Sequence, residues 1–219
     1  MRRVALVLAA MALALLLASG VAWAVNKVGT NGPATLRGTN GDDNLLGKGG
    51  SNDELFSLNG RDNLLGGVGK DCLICATRQR HGFAGGKNLV GGPGNDYVLA
   101  GKGSDNVVGG EGNDYLADPG NREFSKDNFS GGPGNDVIDV VHYRSASDRV
   151  VCGSGFDRVL VDSNDVVAPD CEKVVVFRGG TFSEYIDVVF IGFYEETVPP
   201  NFFEGLPRCS FEFMGDLEL

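Results

Sequence analysis

The chain has 219 residues, 42% of them hydrophobic, with 34 Gly and 8 Pro, and its 19 basic against 29 acidic residues leave a net charge of −10. Glycine plus proline reach 42 residues, about 19% of the chain against a usual ~12%, and 24 of the glycines fall between Gly38 and Gly134. That acidic balance, with no cluster of Lys or Arg to interrupt it, argues against a nucleic-acid partner and for a cation.

The first element reads as an export signal over residues 1–24. Arg2 and Arg3 form a positive start, Val4 to Ala18 is uninterrupted apolar sequence, and Ala22-Trp23-Ala24 is a small-x-small cleavage site. Cleavage after Ala24 leaves 195 residues. The alternative is an uncleaved anchor, since the 21 residues from Val4 to Ala24 carry no charge and are long enough to span a bilayer. The Ser19-Gly20 break and the cleavage site favour removal. Val21 stands where a lipid-bearing Cys would be needed, and the residues around Arg2-Arg3 do not make a twin-arginine signal. With no later apolar run of spanning length, the mature protein is expected to be secreted and soluble, with no membrane partner.

After a lead-in over 25–37, the chain becomes periodic. From Gly91 it reads GGPGNDYVL, AGKGSDNVV, GGEGNDYLA, three blocks of nine with Gly at positions 2 and 4, Asp at 6 and an apolar residue at 8. GGVGKDCLI at 66–74 and GGPGNDVID at 131–139 keep the full pattern. Looser copies are GTNGDDNLL (38–46), the ten-residue GKGGSNDELF (47–56), SLNGRDNLL (57–65), GFAGGKNLV (82–90) and a stretched copy over 118–130. The sixth-position column is therefore Asp43, Asp53, Asp62, Asp71, Lys87, Asp96, Asp105, Asp114, Asp127 and Asp136. The eighth is Leu45, Leu55, Leu64, Leu73, Leu89, Val98, Val107, Leu116, Phe129 and Ile138.

A polar residue before each apolar one gives the alternation of a strand with one buried face. The expected fold is all-β: each block is a glycine turn of about six residues and a strand of about three, two blocks make one coil of a parallel β-roll, and blocks i and i+2 stack on one edge. A flexible glycine-rich linker would match the composition but has no reason to hold two columns in phase. A solenoid that uses glycine only for its turns, without metal, is the other alternative. Against it, stacking sets carboxylates about 4.8 Å apart, where two anions repel by roughly 1 kcal/mol even in a water-like dielectric. Such an array needs a counter-ion. Calcium accepts six to eight carboxylate and carbonyl oxygens in tolerant geometry, whereas magnesium demands a tighter octahedron and zinc prefers His or Cys. Near the repeats only Cys72, Cys75 and His81 offer such ligands, and no EF-hand loop occurs.

On these residues the chain resembles the hemolysin-type, or RTX, calcium-binding nonapeptide repeat family, GGxGxDxUx, over about 38–139. The resemblance implies a calcium-filled parallel β-roll, with Ca2+ held between same-edge turns by Asp carboxylates and Gly carbonyls. Carried onto this chain, the best-formed site lies between Gly92-Gly94-Asp96 and Gly110-Gly112-Asp114. The implied metal residues also include Asp43 with Asp62, Asp53 with Asp71, Gly67 and Gly69, Gly101, Gly103 and Asp105, and Gly132, Gly134 and Asp136. Lys87 should cancel one position, and Asp127, thirteen residues after Asp114 and without the expected glycines, should face solvent. Many members carry a toxin or hydrolase domain and a C-terminal export signal, whereas this chain shows an N-terminal signal and no catalytic domain, which argues against cytolytic activity.

Beyond Val140 the repeat decays. Over 140–176, CGSGFDRVLV keeps Gly153, Gly155, Asp157 and Val159, and Asp165-Val166-Val167 resembles half a copy. In an exported protein a Cys152–Cys171 disulfide closing this stretch is the economical pairing. Cys72 and Cys75 read as a local disulfide or two free thiols, which leaves Cys209 odd. Residues 177–219 are rich in Phe and Tyr and read as strands capping the roll or as a partner surface. No HExxH or GxSxG occurs, and His81 and His142 are the only imidazoles, so no enzyme is expected. Two other readings stay open: a small extracellular hydrolase or polysaccharide-modifying protein with its chemistry in 140–219, and a cell-surface structural or adhesive module. The sequence identifies no protein or polysaccharide partner.

Overall fold

The computed structural model describes residues 24–50, 52–75, 85–118, 125–141, 147–178, 198–199 and 201–209. Residues 1–23, where the export signal is expected, His81, His142 and most of the aromatic stretch beyond 178 lie outside them. Strands alternate between two parallel sheets. The first holds β1 (Asn26–Val28), β3 (Asn44–Gly49), β5 (Asn63–Val68), β7 (Asn88–Pro93), β9 (Asn106–Glu111), β11 (Asn128–Pro133), β13 (Arg149–Ser154) and β15 (Val166–Val167), paired in that order. The second holds β2 (Thr35–Arg37), β4 (Glu54–Ser57), β6 (Cys72–Cys75), β8 (Tyr97–Leu99), β10 (Tyr115–Ala117), β12 (Val137–Asp139), β14 (Arg158–Asp162) and β16 (Lys173–Phe177). Two strands make one coil, and each coil stacks on the next, so the chain forms a β-roll.

The apolar column lies inside it. Leu45, Leu64, Leu89, Val107, Phe129 and Val150 pair in register down the first sheet, and Leu55, Leu73, Val98, Leu116, Ile138 and Val159 down the second. All twelve are at most 2% exposed. No coil could bury this face alone, so the core exists only through stacking.

The first-sheet strands run to six residues where about three were expected. The reason is the glycine pair that opens the next block. Gly92 pairs with Gly110 and Pro93 with Glu111, and Gly94 N donates to Glu111 O at 2.7 Å, so the parallel ladder continues through the glycines up to the turn. The coils also extend outside 38–139: β1 and β2 lie in the stretch expected as a lead-in, and β13 to β16 follow the last full repeat.

Register survives insertions. Asp71 and Asp96 are 25 residues apart rather than 18, yet Cys72 pairs with Tyr97. Extra chain between coils costs little, because closure entropy grows only with the logarithm of length, whereas losing register would expose the core.

Cys152–Cys171 is bonded as expected. Cys72 instead pairs with Cys209, 137 residues away, and Cys75 is a buried free thiol, against the local pairing read from sequence. The correction has a geometric cause. In β6 successive side chains point to opposite faces: Cys72 faces outward with Phe56, Ile74 and Leu99, while Cys75 packs into the core with Leu73 and Val98. Among the described residues after Phe177 no capping strand is found. The short helix α1 (Phe202–Gly205) lies on the outer face of the second sheet, where Phe202 and Leu206 pack with Val137, Val141 and Leu160. Tyr97 and Tyr115 stack at 5.0 Å beside Phe203, so the outward aromatic row gives this strap a surface to cover.

Candidate metal centre

Each edge of the roll carries a column of acidic side chains. The edge running from first to second sheet holds Asp53, Asp71, Asp96, Asp114, Asp136 and Asp157, and the opposite edge holds Asp43, Asp62, Lys87, Asp105, Asp127 and Asp148. Every one of these aspartates is at most 1% exposed. Four of the five complete repeats (66–74, 91–99, 109–117 and 131–139) fall on the first edge, because alternate blocks stack.

Within a column one rule repeats. The backbone N–H at position 6 donates to the Oδ1 of the position-6 Asp one coil on: Asp71 to Asp96 at 2.7 Å, Asp96 to Asp114 at 2.8 Å, Asp114 to Asp136 at 2.8 Å. One carboxylate oxygen is thus used to hold the coils together. The other Oδ2 of Asp71, Asp96, Asp105, Asp114, Asp136 and Asp157 is buried and accepts no hydrogen bond. It turns toward the first glycine of its own block: a Cβ on Gly91, Gly109 or Gly131 would collide with the Oδ2 of Asp96, Asp114 or Asp136.

The glycines at positions 2 and 4 bring main-chain oxygens close between successive turns. Gly92 and Gly110 have φ of +121° and +126°, and the carbonyl of each coil's glycine stands in the gap under the next: a Cβ on Gly110 would strike Gly92 O, and one on Gly112 would strike Gly94 O. Gly67, Gly69, Gly94, Gly112, Gly132 and Gly134 share this conformation on the same edge, and Gly101 and Gly103 precede Asp105 on the other. Lys48 takes the place of the glycine in the ten-residue copy, with φ +98°, and pairs with Gly67.

Electrostatics gives the same picture. Burial pushes the carboxyls of Asp96, Asp114 and Asp136 up to about 8 and that of Asp105 to about 9, from an ordinary 3.8, despite the ladder N–H groups that pull the other way. Asp62 and Asp71 rise to about 6 for the same reason. A carboxyl so placed resists ionisation, and positive charge brought to it favours the ionised form. Buried anionic oxygens without donors, together with carbonyls in the same gap, fit a hard cation that prefers oxygen. Among the described residues no three carboxylate, thiol or imidazole side chains cluster closely enough to hold an ion alone, so main-chain oxygens have to complete any shell.

Asp127 departs from the sequence reading. It is buried, accepts from Asp105 N at 2.6 Å and donates its own N–H to Asp148 Oδ1 at 2.8 Å, because Asn128 pairs in register with Asn106. Burial, with Asp118 beside it, pushes its carboxyl up to about 8. The columns also run past the last full repeat through Asp148 and Asp157. Asp157 N donates to Glu172 Oε2 at 2.9 Å, and Asp148 N to Asp165 Oδ1 at 3.0 Å. Asp157 keeps the turn glycines Gly153 and Gly155, whereas Asp148 is marked only by Asp, any residue, then an apolar one, as in Asp148-Arg149-Val150. A second ladder on the first-sheet surface also went unread: Asn44 donates to Asn26 at 2.7 Å, Asn63 to Asn44 at 2.8 Å and Asn106 to Asn88 at 2.8 Å.

Comparison with protein families matches the RTX calcium-binding nonapeptide repeat in four copies, at residues 28–52, 49–74, 81–116 and 125–139. The repeats of this chain are RTX repeats. No curated protein and no solved structure gives a significant match. The RTX copies begin at residue 28, in the coil of β1, and end with β12, while the Asp ladder goes on for further coils. Among the described residues no helix is long and apolar enough to cross a membrane.

Proposed function

We propose that this RTX protein binds calcium ions between successive same-edge turns, and that its folding is coupled to calcium outside the cell. The observation that carries the reading is the row of buried Oδ2 atoms without donors on Asp71, Asp96, Asp114, Asp136 and Asp157, the first three beside the carbonyls of Gly91, Gly109 and Gly131 of the next turn and Asp136 beside that of Cys152. The gap between Gly92-Gly94-Asp96 and Gly110-Gly112-Asp114 would hold one ion, and Asp53 with Asp71 and Asp114 with Asp136 extend the row. On the other edge Asp43 with Asp62, and Asp105 with Asp127, form the corresponding gaps. Bound calcium would supply the positive charge and the oxygen coordination that let these carboxylates ionise in place. The chain's own part is to hold Oδ1 in the ladder, aim Oδ2 into the gap and keep Cβ atoms out of it.

The role is one of binding rather than turnover. The charge-free stretch Val4 to Ala24 behind Arg2-Arg3 and the two disulfides support export to an oxidising compartment, where calcium is abundant. Far-ultraviolet circular dichroism of the mature chain during a calcium titration tests the coupling. The β signal should grow at free calcium near the ~10⁻⁴–10⁻³ M typical of extracellular modules. A spectrum that is the same in chelator and in saturating calcium would reject it.

A further inference from the structure

Lys87 breaks the acidic column of the second edge between Asp62 and Asp105 and offers no carboxylate to the Asp62 N–H, yet its own backbone stays in the ladder. Its N–H donates to Asp105 Oδ1 at 2.7 Å, and its carbonyl accepts from Asn106 N at 2.8 Å. The side chain does not escape to solvent, as a lysine's flexible stem usually permits. It is 3% exposed. Its Nζ donates to Gly85 O at 3.3 Å, in its own turn, and to Lys102 O at 2.9 Å, in the turn one coil on. The ammonium thus binds main-chain oxygens of two successive turns. Burying a lysine without charge partners is costly. Here its charge acts on both column neighbours, Asp62 and Asp105, and so favours their ionised forms.

We propose that the Lys87 ammonium is the resident cation of this inter-turn gap: it stands in for a metal ion between the turns of Lys87 and Asp105, so that the gap takes no calcium. The inference rests on the calcium reading above and deepens it, because it divides the gaps into those filled by the solvent's cation and one filled by the chain. A tethered cation is present at every calcium concentration. The coils of β7 and β9 are therefore joined with their charges already compensated, while their neighbours wait for metal.

The test counts calcium ions bound to the mature full-length chain, by native mass spectrometry and isothermal titration, for wild type, Lys87→Asp and Lys87→Met. Lys87→Asp restores the acidic column and should bind one ion more than wild type. A folded Lys87→Asp protein that binds the same number as wild type overturns the proposal. Lys87→Met keeps the stem and removes the charge, so its calcium midpoint for β structure should rise several-fold or be lost. An unchanged midpoint overturns the proposal even if Lys87→Asp does not fold. Wild type binding no calcium would sink the calcium reading itself, whereas calcium binding by wild type without the gain in Lys87→Asp sinks only the role of Lys87.

Discussion

Asp96 donates its backbone N–H to Oδ1 of Asp114 at 2.8 Å, and the Oδ2 of both residues remains buried without a donor. The same side chain therefore joins two coils through one oxygen and repels its column neighbours through the charge it carries. Replacing Asp114 by Asn keeps the ladder acceptor and removes the anion. Asp114→Asn should raise the calcium midpoint and, in chelator, retain more β structure than wild type, because the buried charge is gone. Titration calorimetry and circular dichroism check the two effects. A variant that loses β structure in both conditions would show that the carboxylate is needed for packing alone.

Asp127→Asn should also raise the calcium midpoint, since Asp127 is as buried as Asp105 and stands in the same column. Asp42→Asn is the control. Asp42 is exposed and its Oδ1 accepts only from the surface N–H of Arg61, so the midpoint should not move. If Asp127→Asn behaves like Asp42→Asn in calorimetry, the register of the second edge is wrong.

The metal-free roll should be more stable in mild acid than in alkali. The carboxyls of Asp96, Asp114 and Asp136 have folded values near 8, above their ordinary 3.8, so the folded state binds protons more tightly than the unfolded one. Their favourable contribution is complete below about pH 4 and is lost as pH rises through about 8. Calcium binding at neutral pH should then release protons. Circular dichroism of metal-stripped protein should show β content falling between pH 5 and pH 9, within the window set by these shifts. A rise over that interval would contradict the burial of the column.

Gly110→Ala should disrupt the roll. Its φ of +126° costs a non-glycine residue about 1–3 kcal/mol, and the added Cβ would overlap Gly92 O, a backbone atom that cannot swing aside. Gly49→Ala is the contrast, because its Cβ would meet nothing nearer than the Val68 side chain at 3.6 Å. Thermal unfolding in saturating calcium should separate the two by several degrees, and equal melting points would exclude close stacking at Gly110.

Cys209→Ser should cost more than Cys171→Ser. The first opens a closure of 137 residues and frees α1 from the outer sheet, and the second opens one of 19. On the chain-entropy account the losses are about 5 and 3 kcal/mol. Denaturant midpoints give the order, and binding of a hydrophobic dye to Cys209→Ser should report the uncovered Tyr97–Tyr115 row. A larger loss in Cys171→Ser would mean that closing the open end of the roll matters more than the strap.

The sequence by itself determined the roll and its core. A period of nine places Leu89 on Val107 and Val98 on Leu116, because a column can stay in phase only if each coil stacks on the last. The same arithmetic put Asp96 over Asp114. Only the tertiary structure decided where the arithmetic could be broken. Thirteen residues separate Asp114 from Asp127, and counting alone turns Asp127 outward, whereas pairing of Asn128 with Asn106 and burial of Phe129 draw it back into the column. Cys72 and Cys75 stand two residues apart in between, yet opposite faces of one strand send Cys72 to Cys209 and Cys75 to the core. The strap over the second sheet has no period to announce it. Its contacts join residues from about 40 to 137 positions apart, and such contacts are chosen by which apolar surface the finished roll leaves uncovered.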